Sequence, residues 1–412
     1  MKMSRIIIVL LSLLCLTICH KHNTVKRMFA WKQINYDFDG VFYKRDANYE
    51  RKADRVVFLD QVNDSEKFFI QYNNVPIGFE YYENRVFVTV PRRRHGIPST
   101  LNYVTMSDTS PSLRPYPNSA SAQELVSVYR PRVDVCERLW MVDTGLLEVP
   151  GERRQVKKPS IVIYDLKTDK RILTYELKDT DLVNERSAGG LTSITVDVTA
   201  DNCGDAYAYI NDLATEGLVV FSLRQLDSWR IQDPSFAHDE KSLNFTVAGH
   251  VINWKDGLFS IALSENKDGS RMAYYHPLVS TREYAVDTKH LKSNTFKGNN
   301  ILLGDRGEKT QSGSHGYHSG TKTMFYANVA QDAILCWRVT KDLNPENIGI
   351  AAQDHTKLVY ISDLKVVGDE VWVLVNQIPN FVFSTLDTKE INYYIHRASV
   401  SDLIQGTVCE KD

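Results

Sequence analysis

The apolar and polar positions of this chain repeat in one unit: an aromatic, apolar strand ends on a polar or turn-forming residue, and a second strand follows. The units recur at intervals of roughly 48 to 69 residues, and recurrence at such a period is typical of propellers and solenoids, because one unit cannot bury both its faces alone. The six aromatic strands end near Pro91, Asp143, Asp212, His276, Asn328 and Asn376.

Each unit also contains a strand before the aromatic one, and several of these strands are rich in Gly, Ser, Thr and Ala, small residues that suit strands crowded around a central channel. No long segment has helical periodicity. The sequence therefore predicts an all-β, six-bladed β-propeller. Closure of the ring requires a strand from the other end of the chain, and Met28 to Phe38 is the candidate for completing the last blade. The charged segment 41–66 is expected to be an exposed loop or insertion.

The first residues place Lys2 and Arg5 ahead of an apolar run that ends near Cys19. This pattern predicts a secretory signal over residues 1–19, followed by one secreted, extracellular propeller domain over residues 20–412. The net charge of −2 favours neither a nucleic acid nor a membrane as partner, and we expect a monomer. The basic run Arg92–Arg94 is interpreted as a solvated loop.

Four cysteines follow the predicted signal, namely Cys136, Cys203, Cys336 and Cys409, and four cysteines allow three pairings. Cys136 and Cys203 occupy the same turn in consecutive units, which would let them bridge neighbouring blades. Two sequons begin at Asn63 and Asn244 and predict glycosylation sites.

If the aromatic strands all run in the same direction, their polar ends surround one mouth of the channel, although each could instead only cap a turn. His276 and His315 are the histidines that the repeat brings near the channel, and they are the candidates for acid–base catalysis. A structural role is the alternative for both. We find no zinc spacing and no phosphate loop, and we expect no metal and no cofactor.

Several segments resemble the insect yellow and major royal jelly protein family. The longest is "NNVPIGFEYYENRVFVTVPRRRHGIPSTLNYV" from Asn73 to Val104, and others are "VSVYRPRVDVCERLWMVDTG", "AYAYINDLATEGLVVFSL" and "SDLKVVGDEVWVLVNQIP". The resemblance runs from about Phe29 to Cys409. It implies a secreted six-bladed propeller with disulfides that join Cys136 to Cys203 and Cys336 to Cys409.

The resemblance also implies a ligand site. Amine-binding members of the family line their pocket with a Thr-Asp pair, an Asn and an aromatic residue, and the matching positions here are Ser362, Asp363, Asn376 and Ile378. Ile378 replaces the aromatic residue, which removes a contact worth about 0.5 to 2 kcal/mol. Asn328 is a further candidate for hydrogen bonding to the ligand.

Three functions follow as hypotheses. The first is binding of a catechol or indole amine, such as dopamine or serotonin, in the setting of melanin and cuticle pigmentation. The second is an enzyme, an isomerase that converts dopachrome with His276 or His315 as base. The third is a Ca²⁺-dependent lactonase-like hydrolase, for which Glu80 is the inner-strand acidic residue.

Overall fold

A computed structural model describes residues 25–48, 62–107 and 109–411. These residues form six four-stranded antiparallel sheets arranged as the blades of a propeller. The inner strands, which line the channel, are Gly78–Tyr82, Arg132–Val133, Leu191–Asp197, Leu258–Leu263, Ser312–His318 and Ile361–Val367. The second strands are Arg85–Thr89, Arg138–Asp143, Tyr207–Asp212, Met272–Pro277, Thr323–Asn328 and Glu370–Val375.

The third strands are Leu101–Thr105, Ser160–Asp165, Gly217–Ser222, Arg282–Asp287, Ala333–Arg338 and Tyr393–Ser399. The outer strands are Arg114–Pro115, Lys170–Glu176, Asp227–Gln232, Ile301–Asp305, Ile348–Gln353 and, in the sixth blade, Lys26–Trp31. Blades 1 to 6 are numbered in the order of their inner strands.

The burial of the strands explains the repeated apolar pattern. The second strand Arg138–Asp143 and the third strand Gly217–Ser222 are buried along their whole length, because both faces of a blade pack against neighbouring blades. A strand that is buried on both faces is continuously apolar rather than alternating. The outer strand Lys170–Glu176 is exposed along most of its length, and it carries charged side chains at both of its ends. The predicted six-bladed, all-β fold is confirmed.

Lys26–Trp31 pairs antiparallel with Tyr393–Ser399 and so closes the ring. The predicted closing strand was too long, because it ends at Trp31 rather than at Phe38. Beyond that point the chain crosses to blade 1, where the amide of Asp37 donates a hydrogen bond to the Leu113 carbonyl at 2.8 Å. One N-terminal segment therefore holds the last blade and the first blade together.

Short elements extend from the ring. Within the described residues the α-helices are Ser187–Gly190, Thr288–Leu291, Ile378–Phe383 and Val400–Ile404. Two-stranded sheets in the same ranges pair Tyr36–Phe38 with Val41–Tyr43, Ala47–Asn48 with Lys67–Phe69, Leu146–Leu147 with Arg154–Gln155, and Phe245–Val247 with His250–Ile252. None of the helices in the described ranges is long and apolar enough to cross a membrane. The predicted signal, and residues 49–61 of the predicted insertion, lie outside the described residues.

Two disulfides tie the ring at separate places. Cys136 and Cys203 join the turns of blades 2 and 3, with their Cα atoms 5.9 Å apart. Cys336, in the third strand of blade 5, is bonded to Cys409 near the C-terminus, with a Cα separation of 6.3 Å. The sequon asparagines Asn63 and Asn244 are both exposed, so their glycosylation stays a prediction that access does not prevent.

Polar side chains at the ends of second strands join neighbouring blades. In four blades the side chain donates a hydrogen bond to a carbonyl at or near the start of the next inner strand, and all four side chains are fully buried. The pairs are Thr89 to Tyr129, Asn211 to Leu258 at 3.1 Å, His276 to Gly313 at 2.9 Å and Asn376 to Pro76 at 2.9 Å. We call these contacts inter-blade hydrogen bonds. Water does not compete for them, so each is worth about 0.5–1.5 kcal/mol net and costs more when only one partner is removed.

We expect the unfolding free energy to fall in acid because of His396, which lies in the third strand of blade 6. Its Nε2 lies 3.2 Å from the Lys357 carbonyl, the side chain is buried, and burial lowers its pKa to about 4. Between pH 6.5 and 4, His396 is protonated in the unfolded chain but stays neutral in the native state. The unfolding free energy therefore falls as the pH falls through that range. We expect His396→Gln to reduce this slope by up to about 1.4 kcal/mol per pH unit. Denaturant unfolding at a series of pH values measures it; the exposed His355→Gln is the control, and an unchanged slope in His396→Gln would contradict the prediction.

Candidate functional site

β-Bulges occur in several inner strands close to one end of the channel. The register against the second strand slips between Leu191 and Ser193, between Leu258 and Ser260, and between Ile361 and Asp363. A bulge adds one unpaired residue and re-aims its side chain. The residues inserted in this way are Thr192, Phe259 and Ser362, and all three line the same cavity.

This cavity, which we call the mouth cavity, has a volume of about 220 Å³. Sites for drug-sized ligands span roughly 300–1,000 Å³, so the mouth cavity suits a small ligand of one or two rings. Its walls come from the loops that precede the inner strands, from the bulges of those strands and from segments that follow the second strands. The residues that line it include Arg93, Tyr129, Arg130, Glu148, Thr192, Trp254, Asp256, Phe259, Tyr360, Ser362, Ile378 and Val382.

Asp256 supplies a carboxylate with no partner among the described residues. It lies in the loop before the inner strand of blade 4 and is half-buried. Its main-chain carbonyl accepts a hydrogen bond from the Val279 amide, whereas its side chain makes no hydrogen bond or ion pair within the described ranges. Burial raises the pKa of Asp256 to about 6, although Arg93 and Arg130 act in the opposite direction. A carboxylate with this pKa can both hold and release a proton near neutral pH.

Arg130 lies at the base of the mouth cavity. Its Nε donates to the Ser362 carbonyl at 2.9 Å and its Nη1 donates to the Thr192 carbonyl at 3.3 Å, so it binds both bulged segments. Its guanidinium also stacks over the Phe259 ring at 4.5 Å. Burial lowers the pKa of Arg130, and the carboxylate of Asp363 opposes that effect. A buried guanidinium fixed in this way is a preorganised positive charge at the cavity wall.

Glu148 and Tyr129 form a second polar wall. The Tyr129 hydroxyl donates to a carboxylate oxygen of Glu148. Burial, followed by the charge of Glu148, raises the pKa of Tyr129 well above its usual value, so the phenol stays protonated. Burial also raises the pKa of Tyr360 to about 12. Tyr360 has a left-handed backbone (φ +55°), a conformation that costs free energy in a non-glycine residue.

Aromatic and aliphatic groups complete the cavity. Phe259 and Trp254 come from blade 4 and the loop before it, while Ile378 and Val382 come from the helix Ile378–Phe383. Trp254 stacks on Phe383 at 5.8 Å, so the helix and the loop meet across the rim. The aromatic wall therefore comes from blade 4 rather than from position 378.

Two of the five residues predicted to bind the ligand line this cavity, namely Ser362 and Ile378. Asn376 lies beneath the surface, where its Oδ1 accepts from the Ile378 amide at 3.1 Å and so positions the helix. Asp363 is fully buried and accepts from Ser314 Oγ at 2.9 Å. Asn328 is fully buried and donates to the Lys309 carbonyl at 2.9 Å, in the segment before the inner strand of its own blade. Ligand contacts by these last three stay predictions.

The candidate catalytic histidines lie apart from the mouth cavity. His276 is fully buried and its Nδ1 lies 3.0 Å from Glu283 Oε2. His315 Nδ1 lies 2.7 Å from Ser260 Oγ, its Nε2 lies 3.2 Å from Glu283 Oε1, and burial lowers its pKa to about 4. His315 borders a separate cavity of about 200 Å³ towards the other end of the inner strands.

His276, Glu283 and His315 are close enough to one another to be tested as a metal site. However, Arg306 Nη1 donates to Glu283 Oε2 at 2.6 Å, and its guanidinium competes with any cation for that carboxylate. His276 Nε2 faces the Ser312 and Gly313 carbonyls and therefore carries a hydrogen. The donors fit a hydrogen-bonded network between blades 4 and 5 better than they fit a metal centre.

Main-chain amides donate hydrogen bonds to both carboxylate oxygens of Glu80, the inner-strand acidic residue considered for a lactonase. Its Oε2 accepts from the Val133 amide at 3.2 Å and its Oε1 accepts from the Tyr81 amide at 3.1 Å. A larger groove of about 660 Å³ lies outside the mouth and is lined by charged side chains such as Arg94, Arg153 and Arg154, without an aromatic wall. The mouth cavity alone among the described cavities combines aromatic walls with an unpartnered carboxylate.

The fold and site define a six-bladed propeller with a ligand-sized cavity at one mouth of its channel. The Major royal jelly protein family model matches residues 126–409. The chain belongs to this family.

Three comparisons place the chain among known proteins. It is 40% identical to the L-dopachrome tautomerase yellow-f of Drosophila melanogaster over 93% of this chain and 94% of that protein. It is 33% identical to the dopaminechrome tautomerase of the same species, over 84% of this chain and 78% of that protein. A structural genomics protein of unknown function from Bacteroides thetaiotaomicron aligns with a TM-score of 0.50 at 10% identity, covering 91% of this chain and 75% of that one, which supports the fold alone.

Sequence reasoning missed Arg93, Arg130, Glu148 and Asp256. It considered only the residues at which the second strands end, whereas the cavity is built from residues just before the inner strands, from their bulges and from segments that follow the second strands. Asp256 and Arg130 lie just before inner strands, so a search of the loops before each small-residue strand would have found them. Arg93 and Glu148 lie four and five residues beyond the ends of second strands.

Proposed function

We propose that the mouth cavity binds an indoline quinone of the dopachrome type and catalyses its tautomerisation to a dihydroxyindole. The observation that carries the proposal is the unpartnered carboxylate of Asp256, which shares an aromatic-lined cavity with two guanidinium groups and forms an ion pair with neither. The similarity to proteins named as L-dopachrome and dopaminechrome tautomerases supports the same chemistry. The biological setting that we propose is pigmentation.

The reaction is an isomerisation and needs no oxidant. A C–H bond of the five-membered ring breaks, its electron pair moves into the conjugated quinone, and negative charge develops on a quinone oxygen, which is then protonated. Loss of a second ring proton and protonation of the second oxygen complete the aromatic indole. Two C–H bonds break and two O–H bonds form, so atoms and electrons balance.

Asp256 is the proposed general base. Its pKa of about 6 leaves most of the carboxylate ionised at pH 7 while keeping it basic enough to accept a proton. The role that the sequence suggested for His276 or His315 passes in this proposal to Asp256, because both histidines are engaged in the buried network with Glu283.

Arg130 is the proposed group that stabilises the developing oxyanion. Two bulge carbonyls and the Phe259 ring hold it before the ligand arrives, so no reorganisation is needed during the reaction. The ring of the substrate would lie between Phe259 and Ile378, with Ser362 at its edge. An aromatic contact of this kind contributes about 0.5–1.5 kcal/mol beyond buried area.

We also propose that the protein acts outside the cell. The predicted signal at residues 1–19 and the two disulfides support this location, since structural disulfides persist in oxidising compartments.

The proposal is tested by adding purified protein to freshly prepared L-dopachrome and following the loss of its visible absorbance. We expect acceleration proportional to protein concentration, with a dihydroxyindole carboxylate as product. Heat-denatured protein is the control. A rate equal to that in buffer would reject tautomerisation.

Binding of a catechol or indole amine without turnover is the second candidate function. It is favoured by the carboxylates of Glu148 and Asp256, which lie beside Trp254 and Phe259 and could hold an ammonium group. Ser362 is then the proposed hydrogen-bonding residue. Calorimetry with dopamine and serotonin tests it: heat of binding without any acceleration of dopachrome loss would favour this function, and no heat at high concentration would exclude it.

A further inference from the structure

We propose that Arg93 binds the carboxylate of the ligand, so that the mouth cavity selects aminochromes that retain the carboxylate of their parent amino acid over decarboxylated ones. This inference rests on the proposed function, because it names the substrate class of the same cavity. The two curated relatives described above are named for substrates that differ in this group, so the choice between them is a property of the site.

Arg93 differs from its two neighbours in the basic run. The guanidinium of Arg92 is held by main-chain carbonyls, including that of Ile97 at 3.0 Å. Arg94 donates to the Arg93 carbonyl at 2.8 Å and stacks over the Phe381 ring at 5.3 Å. The guanidinium of Arg93 makes no hydrogen bond or ion pair within the described part of the chain, although the residue is half-buried. Arg93 is therefore the member of the run that remains available to a ligand.

The surroundings of Arg93 place its charge at the cavity. Burial lowers the pKa of Arg93, but Tyr129, Glu148, Tyr360 and Asp256 outweigh it and raise the pKa overall. All four of these residues line the mouth cavity, as Arg93 itself does. The guanidinium thus faces two carboxylates without contacting either. A ligand that carries an anionic group next to a nitrogen would fit between the guanidinium of Arg93 and the carboxylates of Glu148 and Asp256.

Arginine is suited to this role because its planar fork donates two parallel hydrogen bonds to a carboxylate. Arg130 is less suited, since its Nε and Nη1 are already bound to the Ser362 and Thr192 carbonyls. L-Dopachrome carries its carboxylate on the ring carbon beside the nitrogen. With that carboxylate on Arg93, the C–H bonds of the five-membered ring lie on the side of the cavity that Asp256 shares.

The test uses two ligands that do not react, indoline-2-carboxylate and indoline, which differ only in the carboxylate. Calorimetry with the wild-type protein is expected to show tighter binding of indoline-2-carboxylate. Arg93→Gln is expected to weaken that ligand about ten- to a hundredfold while leaving indoline unchanged, because only the charge-assisted pair is lost. Arg93→Lys should restore part of the preference. Arg154→Gln, which removes the same charge from the outer groove, is the control and should change neither affinity.

The outcomes separate this inference from the proposed function. Equal binding of the two ligands by the wild-type protein, or equal weakening of both by Arg93→Gln, would overturn the role of Arg93 even if dopachrome is turned over. A carboxylate preference that depends on Arg93, found in a protein without tautomerase activity, would support the role of Arg93 and reject the catalytic proposal alone.

Discussion

Asp256→Asn is expected to lower kcat/KM for dopachrome tautomerisation by about 10²- to 10⁴-fold, the usual contribution of a general base. The amide keeps the size and polarity of the side chain but cannot accept the proton. The side chain of Asp256 has no hydrogen bond or ion pair within the described residues, and its burial disfavours the ionised form. The substitution should therefore raise the unfolding free energy at pH 7 rather than lower it. Initial rates of dopachrome loss, with thermal unfolding of the same samples, measure both effects.

The same residue predicts the pH profile. Burial raises the pKa of Asp256 to about 6, so the active, ionised form is lost as the pH falls through that value. We expect kcat/KM to rise with pH and level off above about 7 in the wild-type protein, and to lose this step in Asp256→Asn. Glu240 is an exposed carboxylate that pairs with Lys255. The variant Glu240→Gln is the control and should retain wild-type rates. Wild-type activity in Asp256→Asn would remove Asp256 from the mechanism.

Glu283→Ala is expected to destabilise the propeller by about 3–5 kcal/mol, because it leaves the buried guanidinium of Arg306 without its carboxylate. His276 loses a partner at the same time. Burial raises the pKa of Glu283, but the charges and hydrogen bonds of His276 and His315 outweigh burial and keep the pKa below its ordinary value. Denaturant unfolding at pH 7 measures the loss.

Two comparisons make this prediction specific. Asp179→Ala breaks an exposed ion pair with Lys158 and should cost at most about 1 kcal/mol. Glu283→Gln combined with Arg306→Met removes both charges and should recover part of the stability lost in Glu283→Ala, which also covers the case in which the single variant does not fold. A loss below about 1 kcal/mol in Glu283→Ala would show that the network is not a stabilising contact between blades 4 and 5.

The architecture was predictable because propeller blades bury both faces of their second strands. That burial makes strands such as Glu370–Val375 continuously apolar. Because each blade has one such strand, the number of these strands in the sequence predicts the number of blades. The family resemblance supplied the two disulfides. The end of the closing strand was not predictable, since nothing in the apolar pattern between Trp31 and Tyr36 reveals that the chain leaves blade 6 for blade 1.

The site was only partly predictable. A strand pattern marks where a polar residue such as Asn376 ends a strand, but not whether its side chain turns to the channel or to the next blade. Asn376 donates to the Pro76 carbonyl of the neighbouring segment and supports Ile378 from behind. Ser362 reaches the cavity because a bulge re-aims it. The strand Ile361–Val367 is buried at five successive positions, so it has no alternation in which the inserted residue could be recognised.

The position of Arg93 in the cavity was also not predictable from the sequence. In the sequence it belongs to a run of three arginines, a pattern that usually indicates a solvated loop. The contacts in the structure divide the run, since carbonyls hold Arg92, Phe381 packs against Arg94, and Arg93 turns to the cavity. Such a division depends on the positions of residues far away in the sequence.

The most direct test of the central claim, that the mouth cavity is the ligand site, is a crystal structure of the protein soaked with 5,6-dihydroxyindole-2-carboxylate. We expect the indole between Phe259 and Ile378, with its carboxylate on Arg93 and its five-membered ring towards Asp256. Density for the ligand beside His315 in the opposite cavity, with the mouth cavity empty, would contradict the account.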